Sequence, residues 1–201
     1  MNPVTLGEAL ELGKACDKEG VVLCAPFPYL AALKQVLRHA KLGAQNCCWE
    51  QQGAYTGEVS STMLKDLGCE FVIIGHSERR KYGKEDNTVI RKKLAACAHA
   101  GLATILCIRN LHDLDATESP FIAYEPEQAI SSNGGKVADS AEIASVVAHI
   151  RSLAAHAILL YGGSVHAANT QEILALPLVD GVLVGKASLE VDEFLKIVAY
   201  A

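Results

Sequence analysis

The sequence lacks long apolar segments and basic patches. Its longest apolar runs are much shorter than the roughly 20 residues that a membrane-spanning helix needs, and its first residues do not resemble a signal peptide. The net charge of -5 is spread along 201 residues. These absences argue against a membrane or a nucleic acid as a partner. With half of the residues hydrophobic, we expect one globular domain over residues 1–201.

The seven cysteines include no CxxC pair, and their spacing does not suit zinc. Most of them lie in apolar surroundings, as Cys24 does in VVLCAP and Cys107 does in TILCI. The favoured interpretation is buried free thiols in a reducing cytoplasm, and the alternative is metal ligation. We therefore expect a cytoplasmic protein without a metal.

Short apolar runs alternate with amphipathic stretches. Continuous runs of Val, Ile and Leu indicate parallel strands that are covered on both faces, and strands that alternate with helices predict an α/β fold. The seven predicted strands are 21–25, 42–45, 71–75, 103–108, 121–125, 157–161 and 181–185. The predicted helices include 6–18 after a Thr5–Glu8 capping box, a helix that starts at Pro28, one that Gly68 terminates, and 87–100, 140–154, 168–175 and 190–199.

Two features of this pattern are irregular. The chain opens with a helix and has no strand ahead of it. Residues 109–120, RNLHDLDATESP, are too few for a loop and a full crossover helix, and their Asp, Asn and Pro content is typical of a loop. We therefore expect seven strands and one connection without a proper helix.

Polar residues and glycines follow the predicted strands. In parallel α/β barrels the residues after the carboxyl ends of the strands form the active-site face. These positions are Gln45-Asn46, Gly75-His76-Ser77-Glu78, Cys107, Glu125-Pro126, Gly162-Gly163-Ser164 and Gly185-Lys186.

Two of these residues suit acid–base chemistry. His76 is either a structural hydrogen-bonding residue or an imidazole that donates to a substrate oxygen. Glu125 either pairs with an arginine or removes a proton from a carbon next to a carbonyl. The turns YGGS (161–164) and GKAS (185–188) either bind phosphate through backbone N–H groups or are ordinary turns.

The stretch SSNGGK (131–136) is either a surface loop or a loop that closes over a ligand. Together these residues suit proton abstraction beside a carbonyl of a small phosphorylated substrate. They require no metal and no organic cofactor.

Six ordered motifs resemble those of the triosephosphate isomerase family. The match covers nearly the whole chain from about residue 3, and IIGHSERR with a later AYEP and YGGSV is highly specific. The motifs are GAQN (43–46), GAYTGEVS (53–60), IIGHSERR (73–80), AYEP (123–126), YGGSV (161–165) and VDGVLVGKASL (179–189).

The resemblance implies a TIM barrel and the isomerisation of glyceraldehyde 3-phosphate and dihydroxyacetone phosphate, in glycolysis and gluconeogenesis, without a cofactor. By the family's established roles, Glu125 is the base and His76 the neutral electrophile. The resemblance also implies that Asn46, Glu78 and Cys107 are supporting residues. It implies that Gly135, Ser164, Gly185 and Lys186 bind the phosphate.

The chain departs from the family pattern at four places. Met1-Asn2-Pro3 stands immediately after the position of the family's Asn-Trp-Lys, so the first strand and the catalytic lysine are absent unless Met1 is an internal methionine. Lys186 stands where the family has a second glycine. Arg109-Asn110 replaces Gly-Glu after the cysteine, and the lid begins Pro126-Glu127-Gln128 in place of Pro-Val-Trp.

These departures predict an incomplete barrel of about seven strands with weak or absent turnover. The alternative is an inactive barrel that binds a phosphate ligand or serves as a structural protein. The substrate would be a small phosphorylated triose. Residues 53–60 resemble the family's dimer loop, so a homodimer is one possibility and a monomer is the other.

Overall fold

The computed structural model describes residues 2–114, 119–129 and 139–200. These residues contain seven strands in a sheet of order β1-β2-β3-β4-β5-β6-β7. The four strand pairs whose register is known, β1–β2, β2–β3, β5–β6 and β6–β7, are all parallel. The strands are β1 (Val22–Ala25), β2 (Lys41–Ala44), β3 (Phe71–Ile74), β4 (Ala103–Ile108), β5 (Phe121–Tyr124), β6 (Ile158–Tyr161) and β7 (Gly181–Val182).

Helices lie between most of these strands, as an α/β fold requires. They are α1 (Leu6–Ala15), α2 (Leu30–Val36), α3 (Ser61–Asp66), α4 (Ser77–Tyr82), α5 (Asn87–His99), α6 (Ser140–Leu153), α7 (Ala167–Leu174) and α8 (Val191–Val198). Short 3₁₀ helices cover Phe27–Tyr29, Leu111–Leu114, Glu127–Ala129 and Lys186–Leu189.

The chain divides into two compact units. Unit 1 comprises residues 1–74 and 85–105, and unit 2 comprises residues 75–84 and 106–201. Strand β4 belongs to both. Its first residue donates from Ala103 N–H to the Glu70 carbonyl in unit 1, and its last residue accepts through the Ile108 carbonyl from Glu125 N–H in unit 2. The expectation of a single domain stays a prediction.

Unit 1 follows the local signals of its sequence closely. Thr5 and Glu8 form the reciprocal capping box at the start of α1. Gly68 has φ +83° just after α3, the left-handed conformation that ends many helices. Asp17 accepts hydrogen bonds from the backbone N–H groups of residues 38–40, directly ahead of β2. The chain therefore enters β2 with its backbone donors paired.

Unit 2 is built on β5, β6 and β7 with α6, α7 and α8. Ile143, Val147 and Ile150 are buried on one face of α6 at helical spacing. The buried rings of Tyr124 and Tyr161 meet edge to face, with centroids 6.3 Å apart. These apolar contacts fix the strand ends that carry the polar residues of this unit.

The seven predicted strands are confirmed, β4 with its observed ends and the other six with different ends. Strand β7 covers only Gly181–Val182, where the sequence pattern predicted 181–185. Helix α4 was missed, because six residues are too few to show a helical repeat of apolar side chains. Residues 109–114 contain only a short 3₁₀ helix, Leu111–Leu114.

All seven cysteines are free. Cys24 is partly exposed and the other six are buried. Burial raises the pKa of Cys24 to about 12 and that of Cys69 to about 11. Among the described residues, no helix is long and apolar enough to cross a membrane. The same residues contain no group of three or more His, Cys, Asp or Glu side chains arranged to hold a metal ion.

Gly43 in β2 is expected to tolerate no side chain. A Cβ there would lie 2.5 Å from Cys24 Sγ and 3.3 Å from the side chains of Val22 and Phe71. We expect Gly43→Ala to lower the free energy of unfolding by about 1–3 kcal/mol through overpacking, measured by urea denaturation. Gly7→Ala is the matched control. Its added Cβ has Thr5 Oγ1 at 3.8 Å as its nearest neighbour, and we expect a change of about 0–1 kcal/mol towards greater stability. An equal loss in both variants would contradict the explanation.

Candidate active site

His76 caps the N-terminus of α4. Its Nδ1 accepts a hydrogen bond from Glu78 N–H at 3.3 Å. A ring nitrogen that accepts a hydrogen bond carries no proton, so the neutral imidazole carries its proton on Nε2. The short helix therefore fixes both the orientation of the ring and its tautomer.

Glu125 follows β5 and is only 3% exposed. Its Oε1 lies 3.1 Å from His76 Nε2, and its Oε2 accepts from Ser77 N–H at 3.1 Å. Both carboxylate oxygens thus have a donor in the turn that opens α4. The structure brings together the two residues that the sequence assigned to acid–base chemistry. Ser77 N–H was missed, since a backbone donor leaves no mark in a sequence.

The pKa of His76 is shifted by effects of opposite sign. Burial lowers the pKa of His76, while its hydrogen bond to Glu125 and the charges of Glu125 and Glu78 raise it, and the net direction is upward. The pair therefore favours a proton on the imidazole in this arrangement. Because the Nδ1 position accepts from Glu78 N–H, double protonation of the ring would cost that bond.

A buried ion pair lies next to the two candidate catalytic residues. Arg80 Nη1 is 3.2 Å from Asp113 Oδ1, and both side chains are 5% exposed. Arg80 Nε also donates to the carbonyl of Gly75, the residue before His76, at 2.9 Å. Arg80 thereby holds the start of α4 to the segment after β4.

Arg109 extends this ion pair. Its Nε donates to Asp113 Oδ2 at 2.9 Å and its Nη2 donates to Oδ1 at 3.1 Å. Its Nη1 lies 3.2 Å from Glu127 Oε1. Burial raises the pKa of Asp113, but the hydrogen bonds and charges of Arg109 and Arg80 outweigh it and lower the pKa. Asp113 is therefore ionised at neutral pH. Sequence reasoning missed this network, because Arg80 and Glu127 are distant from Asp113 along the chain. Arg109 and Asp113 are only four residues apart, but they lie in a segment whose composition predicted a loop.

The glycines after β6 allow a close approach to Glu125. A Cβ on Gly162 would lie 2.9 Å from Glu125 Cγ, and a Cβ on Gly163 would lie 2.7 Å from Ala129 Cβ. Ser164 has φ +47°, and its Oγ donates to the Ala129 carbonyl at 2.6 Å. The turn predicted to bind phosphate is thus packed against the segment that follows Glu125.

The remaining predicted site residues of unit 2 differ in accessibility. Cys107 is fully buried in β4, whereas Gly185 and Lys186 are exposed at the start of a 3₁₀ helix. A Cβ on Gly185 would have no neighbour within 4 Å. Gly135 and the loop 131–136 lie outside the described residues.

Asn46 belongs to unit 1, where a buried lysine binds it. Lys93 Nζ donates to Asn46 Oδ1 and to Glu85 Oε1, at 2.7 Å each. The carbonyl of the Asn46 amide is therefore engaged by an ammonium that a carboxylate neutralises. The role of Lys93 was not predicted, because a lysine in a helix is usually exposed.

Residues 53–58 of the predicted dimer loop are exposed. Cys48 N–H donates to the Val59 carbonyl at 2.8 Å, which closes the base of the loop. Tyr55 is 42% exposed, and Met63 in the adjacent helix is 52% exposed. The loop and the adjacent helix α3 therefore each present one large apolar side chain.

Comparison with known proteins identifies the class and then the family. This chain is similar to the solved structure of triosephosphate isomerase from Bartonella henselae, with a TM-score of 0.85 and 33% sequence identity. The match covers 100% of this chain and 94% of the Bartonella chain. Seven parallel strands that alternate with helices and this match define an α/β protein of the TIM-barrel type.

The triosephosphate isomerase family model matches residues 5–201. Among relatives, the triosephosphate isomerase of Synechococcus sp. (strain JA-3-3Ab) is 42% identical over 90% of this chain and 79% of its own length. That of Alkaliphilus oremlandii is 39% identical over 90% of this chain and 86% of its own length. The chain belongs to the triosephosphate isomerase family, a family of isomerases.

The raised pKa of His76 predicts a pH dependence of stability. The folded state binds this proton more tightly than the unfolded state, so its contribution is complete below about pH 6.5, the ordinary pKa of histidine. It is lost as the pH rises through the raised pKa of His76. We expect the free energy of unfolding, measured in urea at a series of pH values, to fall with rising pH across this window. His76→Gln should flatten the fall, and His156→Gln, an exposed position, should not. A wild-type curve without this slope would contradict the assignment.

Proposed function

We propose that this chain interconverts glyceraldehyde 3-phosphate and dihydroxyacetone phosphate through Glu125 and His76. The main support for the proposal is the contact between the Glu125 carboxylate and the His76 imidazole. A carboxylate that is 3% exposed lies 3.1 Å from an imidazole nitrogen whose tautomer is set by Glu78 N–H. Family membership supplies the substrate, a small phosphorylated triose.

Each residue has a distinct role in this proposal. The Glu125 carboxylate removes a proton from the carbon next to the substrate carbonyl and returns it to the neighbouring carbon. The His76 Nε2–H donates to the substrate oxygen on which negative charge develops. A substrate bound between them would replace their direct hydrogen bond, which is one cause of the raised pKa of His76. Burial and the Glu78 N–H then favour the neutral imidazole.

Backbone groups of two turns would bind the phosphate. Gly162 and Gly163 lack the Cβ atoms that would clash within unit 2, and Ser164 adopts a left-handed conformation that turns the chain sharply. Gly185 is exposed with open space at its Cα. The backbone N–H groups of Ser164, Gly185 and Lys186 would serve as donors, and Lys186 would add a positive charge. Gly135 is proposed as a further phosphate ligand.

Asn46, Glu78 and Cys107 are proposed as supporting residues. Glu78 contributes the backbone donor to His76. Cys107, fully buried in β4, would pack beneath the site. Lys93 would orient the Asn46 amide. None of these roles requires a metal or an organic cofactor.

Turnover by these 201 residues should be weak. They contain no Asn-Trp-Lys motif, and the lysine of this motif is the family's catalytic cation. Loss of one preorganised charge donor costs about a hundredfold to a thousandfold in rate. The alternative function, a phosphate-ligand binder or structural protein without turnover, follows if the remaining residues bind ligand but do not react.

We expect isomerisation of glyceraldehyde 3-phosphate to be measurable but at least about a hundredfold slower than with a family member that has the motif. Glu125→Gln should reduce the residual kcat by a further factor of about 10²–10⁴, and His76→Gln by about 10²–10³, because each removes a proton-transfer partner. Glu70→Gln, a surface change in unit 1, is the matched control and should leave kcat unchanged.

A coupled spectrophotometric assay gives the rates, and calorimetry with 2-phosphoglycolate gives the binding. Equal residual rates in the wild type and in Glu125→Gln would contradict the proposed roles. Binding of 2-phosphoglycolate without turnover would establish the phosphate-binder alternative, and neither binding nor turnover would leave a structural role.

A homodimer through residues 53–60 is proposed on the exposure of Tyr55 and Met63. Sedimentation velocity should show twice the mass of the 21.4 kDa chain. Tyr55→Asp should shift the population towards monomer, because it would bury a charge in the interface. Glu19→Gln, at an exposed position outside the loop, is the matched control and should leave the population unchanged. A monomeric wild type at micromolar concentration would rule out the proposal.

A further inference from the structure

The 3₁₀ helix Glu127–Ala129 directly after Glu125-Pro126 is held by three polar contacts. Glu127 pairs with Arg109 at 3.2 Å, and Gln128 Nε2 donates to Glu142 Oε1 at 2.8 Å. The Ala129 carbonyl accepts from Ser164 Oγ at 2.6 Å. Each residue of this helix is thus bound by a different element of unit 2.

The contact with Arg109 is the one that leads to a buried anchor. Arg109 makes a two-pronged contact with Asp113, and a planar guanidinium bound in this way has little freedom to reorient. Asp113 is in turn bound by Arg80, which is buried. Glu127 is therefore linked to a fixed guanidinium, although 57% of its own side chain is exposed.

The same anchor also reaches the residue before His76. Arg80 Nε donates to the Gly75 carbonyl at 2.9 Å. The chain of contacts Gly75–Arg80–Asp113–Arg109–Glu127 therefore connects the backbone next to His76 with the residue two places after Glu125. Pro126 stands between Glu125 and Glu127, and its ring fixes one backbone dihedral. The link between Glu127 and Glu125 therefore has one fewer rotatable backbone dihedral that could absorb a displacement at Glu127.

We propose that Arg109 is a positioning residue for Glu125, which acts through its ion pair with Glu127. The Arg109–Glu127 contact holds the segment after β5 so that the Glu125 carboxylate meets His76 Nε2. Part-exposed ion pairs of this kind add little to global stability, so the effect is on placement. The consequence for catalysis rests on the proposed function, whereas the geometric coupling does not.

The test measures the pKa of His76 by following its Hε1 resonance in ¹H–¹³C NMR spectra, assigned with His76→Gln. Glu127→Gln removes the ion pair and leaves the Arg109–Asp113 contact in place. A surface pair of this type changes an equilibrium about two- to fivefold. We therefore expect the pKa of His76 to fall by about 0.3 to 0.7, because a twofold to fivefold weaker contact with Glu125 corresponds to that change.

A second variant separates placement from direct charge effects. If Glu127 acted on His76 only through its charge, Glu127→Gln would lower the pKa of His76 and Arg109→Gln would raise it. Under the proposal both variants lower it, since both release the segment that carries Glu125. Glu70→Gln is the matched control, because it breaks the Lys41–Glu70 pair of 3.1 Å, whose carboxylate is 44% exposed. It should leave the pKa of His76 unchanged.

The outcomes are distinct. An unchanged pKa of His76 in Glu127→Gln overturns the proposal, and so does a rise in Arg109→Gln. If Arg109→Gln fails to fold, as circular dichroism would show, Arg109→Lys takes its place, because it keeps the positive charge and loses the planar two-pronged contact. A pKa of His76 that stays unchanged in Arg109→Lys then overturns the proposal. In the active protein Glu127→Gln should lower kcat about two- to fivefold with little change in KM. The wild type could lack isomerase activity while Glu127→Gln and Arg109→Gln both lower the pKa of His76. That result would refute the proposed function and support the positioning role.

Discussion

The carboxylate of Glu125 is the group on which the described part of unit 2 depends. An ionised carboxylate that is almost fully buried is costly unless its oxygens are paired. His76 Nε2 and Ser77 N–H supply the two partners. To supply both, the turn after β3 must end where α4 begins, and α4 must start at Ser77 with His76 as its N-cap. A side chain at Gly162 would occupy the space beside Glu125 Cγ. One buried charge therefore explains a helix start, a ring orientation and a glycine.

Much of this arrangement is predictable from residue order. Continuous apolar runs located all seven strands, and Glu125 and His76 were recognised because each follows such a run. Strand β4 was predicted with its observed ends because it has six consecutive residues that suit a strand. The shorter β7 was overestimated, because the pattern 181–185 does not show where its hydrogen bonds to β6 stop.

Contacts that bring distant residues together were not predictable. Asp113 lies in a segment whose composition indicates a loop, and nothing local shows that Arg80 and Arg109 both bind it. The pairing of Lys93 with Asn46 spans 47 positions. The charges of Arg80, Asp113 and Lys93 are stable in the interior only because their partners are present, and neither member of a pair predicts the other. The ionic part of the site is therefore a property of the fold.

The cysteines have a kinetic consequence. Six of the seven thiols are buried, and burial raises the pKa of several, so an aromatic disulfide reagent would find little thiolate in the native protein. Labelling at most positions must then wait for an opening event. Cys16, Cys69 and Cys97 belong to unit 1, and Cys107 lies in the unit 2 part of β4. The labelling rates of these thiols therefore report on opening in each unit. Their separate rates would show whether the two units open together or independently.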